Sequence, residues 1–169
     1  MGVGKTTIGR LLAKELGRPF FDSDVEVEKK TGASINWIFD LEGEAGFRRR
    51  ECSMLKNLLA MENIVLATGG GSVLSHENRA ILTTLSFVIY LRADLAQQLR
   101  RTRWSKNRPL LQEQDPEETL KRLTAEREPW YRQISQMEVD TNVGSPSVVV
   151  NEILEQIKHA NRNGRSRSE

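Results

Sequence analysis

One cysteine, Cys52, in 169 residues excludes an internal disulfide framework and favours a reducing compartment. No apolar run approaches the ~20 residues that a membrane span needs. Met1 is followed by Gly-Val-Gly-Lys, not by the basic and apolar stretches of a secretory leader. Charge of one sign is also lacking: 25 basic against 23 acidic residues leave a net +2, too even for a general polyanion binder. Three of the surplus cations, Arg162, Arg165 and Arg167, sit in an Asn/Gly/Ser/Arg stretch that reads as a disordered tail over 161–169. A hydrophobic fraction of 38% is too high for a disordered chain, and the length suits one compact domain at ~100–200 residues per domain. These features predict a soluble, cytoplasmic protein with neither nucleic acid nor membrane among its partners.

What is present is an alternation of helical and strand patterns. Ile8, Leu11, Leu12 and Leu16 recur at helical spacing, and Gly17 and Pro19 stop the pattern, which predicts a helix over 5–16. Pro19-Phe20-Phe21 reads as a buried strand delivering Asp22, Ser23 and Asp24 at its carboxyl end. Helices follow over 24–31, over 34–41 with Ser34 as N-cap, and over 44–61. Ile64–Thr68 is an apolar, β-branched strand running into Gly69-Gly70-Gly71. A helix over 76–84, a strand over 87–91 and a helix from Asp94 to about Arg103 come next.

Residues 104–115, with Lys106, Arg108 and Pro109, have no periodicity and are predicted to form a lid. The helix from Pro116 to about Ser135 contains Pro129, which should kink or split it. A weak strand over 137–140 and a closing helix from Pro146 to about Ala160 complete the domain. Such alternation implies an α/β fold, a mostly parallel sheet covered on both faces. Ligands then bind outside the carboxyl ends of the strands, so the loops at Gly2–Lys5, Asp22–Asp24 and Gly69–Gly71 are predicted to converge.

Gly2-Val3-Gly4-Lys5-Thr6-Thr7 at the start of a helix is the back half of a phosphate-binding loop, G-x-x-x-x-G-K-[ST], whose first glycine would fall two positions before Met1. Glycines let backbone N–H groups turn around a phosphate, Lys5 reaches the outer phosphates, and the Thr6 hydroxyl suits Mg²⁺. Asp22 and Asp24, at a strand end across from that loop, either cap the next helix or hold metal-bound water and accept a proton from an attacking hydroxyl. Gly69, Gly70 and Gly71, directly after a buried strand, predict a ligand approaching where any Cβ would clash. Of Arg48-Arg49-Arg50, only one can face the crevice, because neighbouring helical residues point about 100° apart; Arg48, beside Phe47, is the choice. Arg108 and Arg127 are isolated arginines that would ordinarily be placed on the surface.

The stretches G-V-G-K-T-T-I-G-R, F-D-S-D, I-F-D-L-E-G-E-A-G-F-R-R-R-E, L-A-T-G-G-G-S-V, N-R-P-L-L and R-E-P-W-Y together resemble the shikimate kinases, of the P-loop nucleoside monophosphate kinase group. The resemblance spans Met1 to about Ala160 and implies a three-layer α/β/α kinase domain over 1–160 with a lid loop. It implies ATP and Mg²⁺ as cofactors, shikimate as substrate, transfer of phosphate to the 3-hydroxyl, and a monomer. It further implies that Gly2 through Thr7 hold ATP phosphates, with Thr6 at the metal and Asp22 near its water shell. Asp24 would position or deprotonate the attacking hydroxyl, and Lys5 and Arg108 would neutralise the transferring phosphoryl. Arg48 and Arg127 would clamp the substrate carboxylate, Gly70 would add a backbone contact, and Phe39 and Phe47 would line the ring pocket. Arg101 with Pro146 is similar to the sandwich around adenine.

A small anion with three hydroxyls needs bidentate guanidinium, a carboxylate and close backbone approach, and all three are in the sequence. Two stretches depart from the family pattern. The strand feeding the phosphate loop is expected upstream of Met1, as an apolar β-branched run of roughly ten residues ending in Gly-x, and the tail over 161–169 matches nothing. A gluconate-type kinase, or a nucleotide-binding module without turnover because its loop is short, are the alternatives.

Overall fold

The computed structural model describes residues 2–102, 115–142 and 144–165. The order is α1 (Lys5–Leu16), β1 (Phe20–Asp22), α2 (Ser23–Thr31), α3 (Ile35–Leu59), β2 (Val65–Ala67), a 3₁₀ turn (Ser72–Leu74), α4 (His76–Leu85), β3 (Ile89–Arg92), α5 (Leu95–Thr102), α6 (Pro116–Ile134), β4 (Met137–Asp140) and α7 (Pro146–Arg165). The helix starts are those the sequence signals. Ser34 accepts from Trp37 N–H, Asp94 from Gln97 N–H, and Asp115 from Glu117 and Glu118 N–H, each satisfying donors that a helix start leaves unpaired.

The two helices expected over 34–41 and 44–61 are one assigned element broken at Gly43. Its φ of 68° and ψ of 179° lie in a region that is essentially open to glycine alone. Pro129 does not split α6, which is assigned helical from Pro116 to Ile134; Leu120, Leu123 and Arg127 are buried on one side of it, and this packing carries the helix past the donor that proline lacks. The closing helix runs on to Arg165, so 161–165 are helical and not part of a disordered tail; 166–169 lie outside the described residues.

The strands form two parallel pairs. In one, Phe20, Phe21 and Asp22 stand opposite Val65, Leu66 and Ala67; in the other, Ile89 through Arg92 stand opposite Met137 through Asp140. Alternation along β3 sets the layers. Ile89 and Leu91 pack with Met137 and Val139 against Ile8, Leu12, Val149 and Ile153 of α1 and α7. Tyr90 turns the other way and stacks on Tyr131 of α6, ring centroids 5.0 Å apart. Phe21 and Leu66 meet Val27, Phe47 and Met54 of α2 and α3. Strands between α1/α7 and the remaining helices make the predicted α/β/α arrangement. Between the inner edges of β2 and β3 lies a mainly apolar cavity of about 970 Å³.

Candidate active site

The first turn of α1 carries the phosphate-loop residues. Gly2 and Gly4 adopt left-handed φ of 71° and 91°, and Ile8 N–H bonds the Gly4 carbonyl at 2.9 Å. This leaves the earliest N–H groups of the helix directed outward, toward an anion. Gly2, Val3, Gly4, Lys5, Thr6 and Thr7 line one cleft of about 400 Å³, and Arg101, Thr141 and Pro146 close its far side. Arg101 is fixed there, donating to Thr141 Oγ1 at 3.1 Å, Thr141 O at 2.9 Å and Gly2 O at 3.3 Å. It therefore ties the loop to the end of β4 while its guanidinium faces the cleft.

Thr6 Oγ1 donates to Asp22 Oδ2 at 2.9 Å. A hydroxyl and a carboxylate are hard oxygen donors, the kind Mg²⁺ takes when it binds through one or two protein groups plus phosphate oxygens and water. Among the described residues no cluster of three or more His, Cys, Asp or Glu is placed to hold a metal, so the donor set fits a phosphate-bound Mg²⁺ and not an all-protein cage.

Asp24, on the first turn of α2, stands on the other side of Asp22, which caps that helix through the Asp24 N–H at 3.2 Å. Asp22 thus caps the helix, one of the two roles between which the sequence left a choice, through one oxygen, while its other oxygen faces Thr6. Burial and the neighbouring Asp22 push the Asp24 carboxyl above its ordinary range, with Lys5 and Arg48 pulling partly back.

The glycine run is where the rest of the site meets. A Cβ built on Gly69 would lie 2.7 Å from both Asp24 Oδ1 and Glu51 Oε1; one on Gly71 would fall inside the Arg48 guanidinium; one on Gly70 would sit 3.7 Å from Arg127 Nη1. The clash anticipated from the sequence is real, but at 69 and 71 it is with side chains of this chain, and those glycines let Asp24, Glu51 and Arg48 crowd one point. The loop itself is pinned: Gly69 N–H donates to the buried Ser23 Oγ at 3.1 Å, Ser72 Oγ donates to Gly69 O at 2.8 Å, and Tyr131 Oη donates to Gly70 O.

Arg48 alone of the three arginines reaches this point; Arg49 is exposed and Arg50 pairs with Glu42. Its Nη1 donates to Glu51 Oε2 at 2.8 Å and its Nη2 to Glu44 Oε1 at 2.9 Å, and its guanidinium lies 5.3 Å from the Phe47 ring centroid. Phe39 and Phe47 pack at 4.9 Å. Arg127 is buried, contrary to what an isolated arginine suggests. Its Nε has no hydrogen-bond partner, the Glu126 carboxylate standing 3.9 Å away, and Glu51 Oε1 is equally unpartnered. A buried donor and a buried acceptor left over in one place are complementary to a polar ligand.

Sequence reasoning missed Glu51, Tyr131, Ser23 and Thr141. Glu51 had a signal, its i,i+3 spacing from Arg48; the others act through contacts with segments distant in sequence. Burial raises the Glu51 carboxyl, and Arg48 offsets part of that. Arg108 lies outside the described residues.

The shikimate kinase family matches residues 1–158. The shikimate kinase of Chromohalobacter salexigens is 52% identical over 158 residues, 94% of this chain and 88% of that protein; that of Pseudomonas syringae pv. syringae is 53% identical over 154, covering 91% and 90%. The shikimate kinase of Acinetobacter baumannii, solved in complex with shikimate, superposes with a TM-score of 0.93 at 47% identity over 95% of this chain and 89% of that one. The Aquifex aeolicus enzyme gives 0.79 at 34% identity, over 95% and 93%. With half the residues shared along nearly the whole length, and the phosphate loop, the glycine run and both site arginines inside the matched span, this chain belongs to the shikimate kinase family.

Proposed function

We infer that this chain transfers the γ-phosphoryl group of ATP to the 3-hydroxyl of shikimate and that the residues gathered at the phosphate cleft and the glycine run divide the work. The phosphate loop and Lys5 hold the nucleotide phosphates, with Arg101 and Pro146 flanking the base. Thr6 and Asp22 hold Mg²⁺, which supplies charge neutralisation on the phosphates. Arg48 and Arg127 bind the shikimate carboxylate; Arg127 Nε, a buried donor without a partner, is the observation that carries this assignment. Phe39 and Phe47 pack on the ring, and Gly70 adds its backbone.

Asp24 orients the acceptor hydroxyl and takes its proton, a task for which a carboxyl raised by burial is better matched to neutral pH than an ordinary one. The phosphoryl transition state spreads negative charge, so positioning and cations supply most of the catalysis. Arg108 enters this reading on its sequence position alone. We further propose that the enzyme works as a monomer in the cytoplasm, where its co-substrate ATP is available. A coupled ADP-release assay with ATP·Mg²⁺ tests the function. Turnover with shikimate and none with gluconate is expected; nucleotide binding without turnover would overturn it.

A further inference from the structure

Arg48 already has two carboxylate partners within the chain. Its Nε and Nη2 both donate to one oxygen of Glu44, Oε1, at 3.2 and 2.9 Å, and its Nη1 donates to Glu51 Oε2 at 2.8 Å. Nε and Nη2 form an edge of the guanidinium that can take a carboxylate by two parallel bonds. Glu44 occupies that edge with a single oxygen, a forked contact in place of the parallel pair. The two partners also differ in what holds them. The Glu51 side chain is fully buried, whereas that of Glu44 is 52% exposed. Moving Glu51 off Arg48 would leave a buried charge uncompensated; moving Glu44 off returns its carboxylate to water. Glu44 directly follows Gly43, the break in α3, and so lies in the first turn of the second helical segment, where a negative charge is favoured with or without Arg48.

Charge makes an exchange necessary. Arg48 faces the carboxylates of Glu44 and Glu51, and Asp24 stands beside Glu51 at Gly69. An acceptor carboxylate brought up to Arg48 with both partners in place adds a third negative charge around one cation, and like charges at that range repel. Of the two, Glu44 is the one free to leave. We propose that Glu44 is an internal stand-in for the acceptor carboxylate: it occupies the Nε–Nη2 edge of Arg48 while the site is empty and gives it up when the acid enters, with Glu51 holding Nη1 throughout. This rests on the assignment of Arg48 to the shikimate carboxylate. The consequence is selectivity. A carboxylate held by Arg127 as well, on a ring whose hydroxyl meets Asp24, offsets the loss of the Glu44 contact; a small anion that offers nothing else does not, and Glu44 thereby keeps Arg48 from the anions of the surrounding solution.

The test is calorimetric titration of shikimate, and of its uncharged methyl ester, into the parent chain, Glu44→Gln and Glu42→Gln. Glu44→Gln keeps the shape and removes the competing charge. It should bind shikimate about 2- to 5-fold more tightly, the factor an exposed ion pair is worth, with the gain shrinking at high salt and the ester unaffected. Acetate added as a competitor should weaken shikimate binding to Glu44→Gln more than to the parent. Glu42→Gln removes the same charge from a neighbouring pair, with Arg50, and should leave shikimate affinity unchanged. In the unaltered chain, the ¹³C resonance of the Glu44 carboxylate should move on adding shikimate and stay in place on adding the ester. Unchanged or weaker shikimate binding by Glu44→Gln would overturn the proposal, since Glu44 would then steady Arg48 instead of competing for it. Equal gains for the ester or for Glu42→Gln, or a Glu44 resonance indifferent to shikimate, would overturn it too. Arg48→Ala with full shikimate affinity would instead overturn the assignment of Arg48 to the carboxylate, and the stand-in with it.

Discussion

Asp24→Asn is expected to move activity and stability in opposite directions. The substitution keeps shape and removes the ability to accept a proton. Loss of a positioned general base costs roughly 10²–10⁴ in turnover, about 2.7–5.5 kcal/mol of transition-state stabilisation. The structure points to the upper half of that range: burial and Asp22 raise the Asp24 carboxyl, which strengthens it as a base and gives the amide more to lose. ATP affinity should stay unchanged, because Asp24 is not part of the cleft wall at the phosphate loop.

Stability follows from the same shift. A carboxyl raised on folding binds more protons in the folded than in the unfolded chain at pH values between its two pKa values, so its contribution falls as pH rises through that window and stays unfavourable above it. Asparagine removes that penalty, and the variant should unfold at higher urea than the parent at pH 7–8, the gain shrinking as pH falls and vanishing below the ordinary carboxyl pKa of 3.8, where Asp24 is protonated in both states. The assays are shikimate-dependent ADP release and urea unfolding at several pH values. Near-normal turnover would remove Asp24 from the chemistry, and a variant less stable at pH 8 than at pH 4 relative to the parent would refute the account of its environment.

Arg127→Ala should weaken shikimate binding by about 2–5 kcal/mol, roughly 30- to 4,000-fold, as for a broken buried charge contact, while leaving the methyl ester of shikimate nearly unaffected; calorimetric titration of both ligands decides, and equal losses would show that the carboxylate is not the contact. Gly71→Ala drives a methyl group into the Arg48 guanidinium; losing one of its two carboxylate bonds costs about 1.5–3 kcal/mol, so shikimate affinity should drop by roughly 10- to 150-fold, whereas Gly70→Ala, 3.4 Å from Tyr131 Oη, should be milder in the same titration. Tyr131→Phe deletes the bond to the Gly70 carbonyl and should raise the KM for shikimate by about 2- to 10-fold with kcat and the KM for ATP unchanged; a fall in kcat alone would place Tyr131 elsewhere in the reaction.

The signals that were legible in the sequence are local ones. Gly17, Ser34 and Asp94 punctuate helices through their own backbones or the next three residues, so these boundaries are found without knowing the fold. The end of α7 was not legible, because the polar composition after Ala160 argues for disorder while the helix continues to Arg165. At the site, residues in dense motifs could be named in advance. Arg127 was underrated until family resemblance raised it, since nothing within a few residues shows that α6 buries it. The site roles of Ser23 and Tyr131 are not legible, because their partners, Gly69 and Gly70, are brought to them only by the packing of α2 and α6 around β2, whereas the pairing of Glu51 with Arg48 three residues away is a local signal. A row of three glycines announces close approach but not by what.

The break in α3 has a consequence for how acceptor choice can be changed. On an uninterrupted helix Phe39 and Phe47 would be separated by about 12 Å of axial rise, yet their rings are 4.9 Å apart, because the chain changes direction at Gly43. Thirteen consecutive residues, 35–47, thereby carry both rings proposed to pack on the acceptor while contributing nothing to the phosphate cleft. They form a cassette: an engineer seeking a kinase for a different small acid can randomise 39 and 47 and their neighbours, keep Gly43 as the fold-back, and leave the nucleotide machinery as it stands.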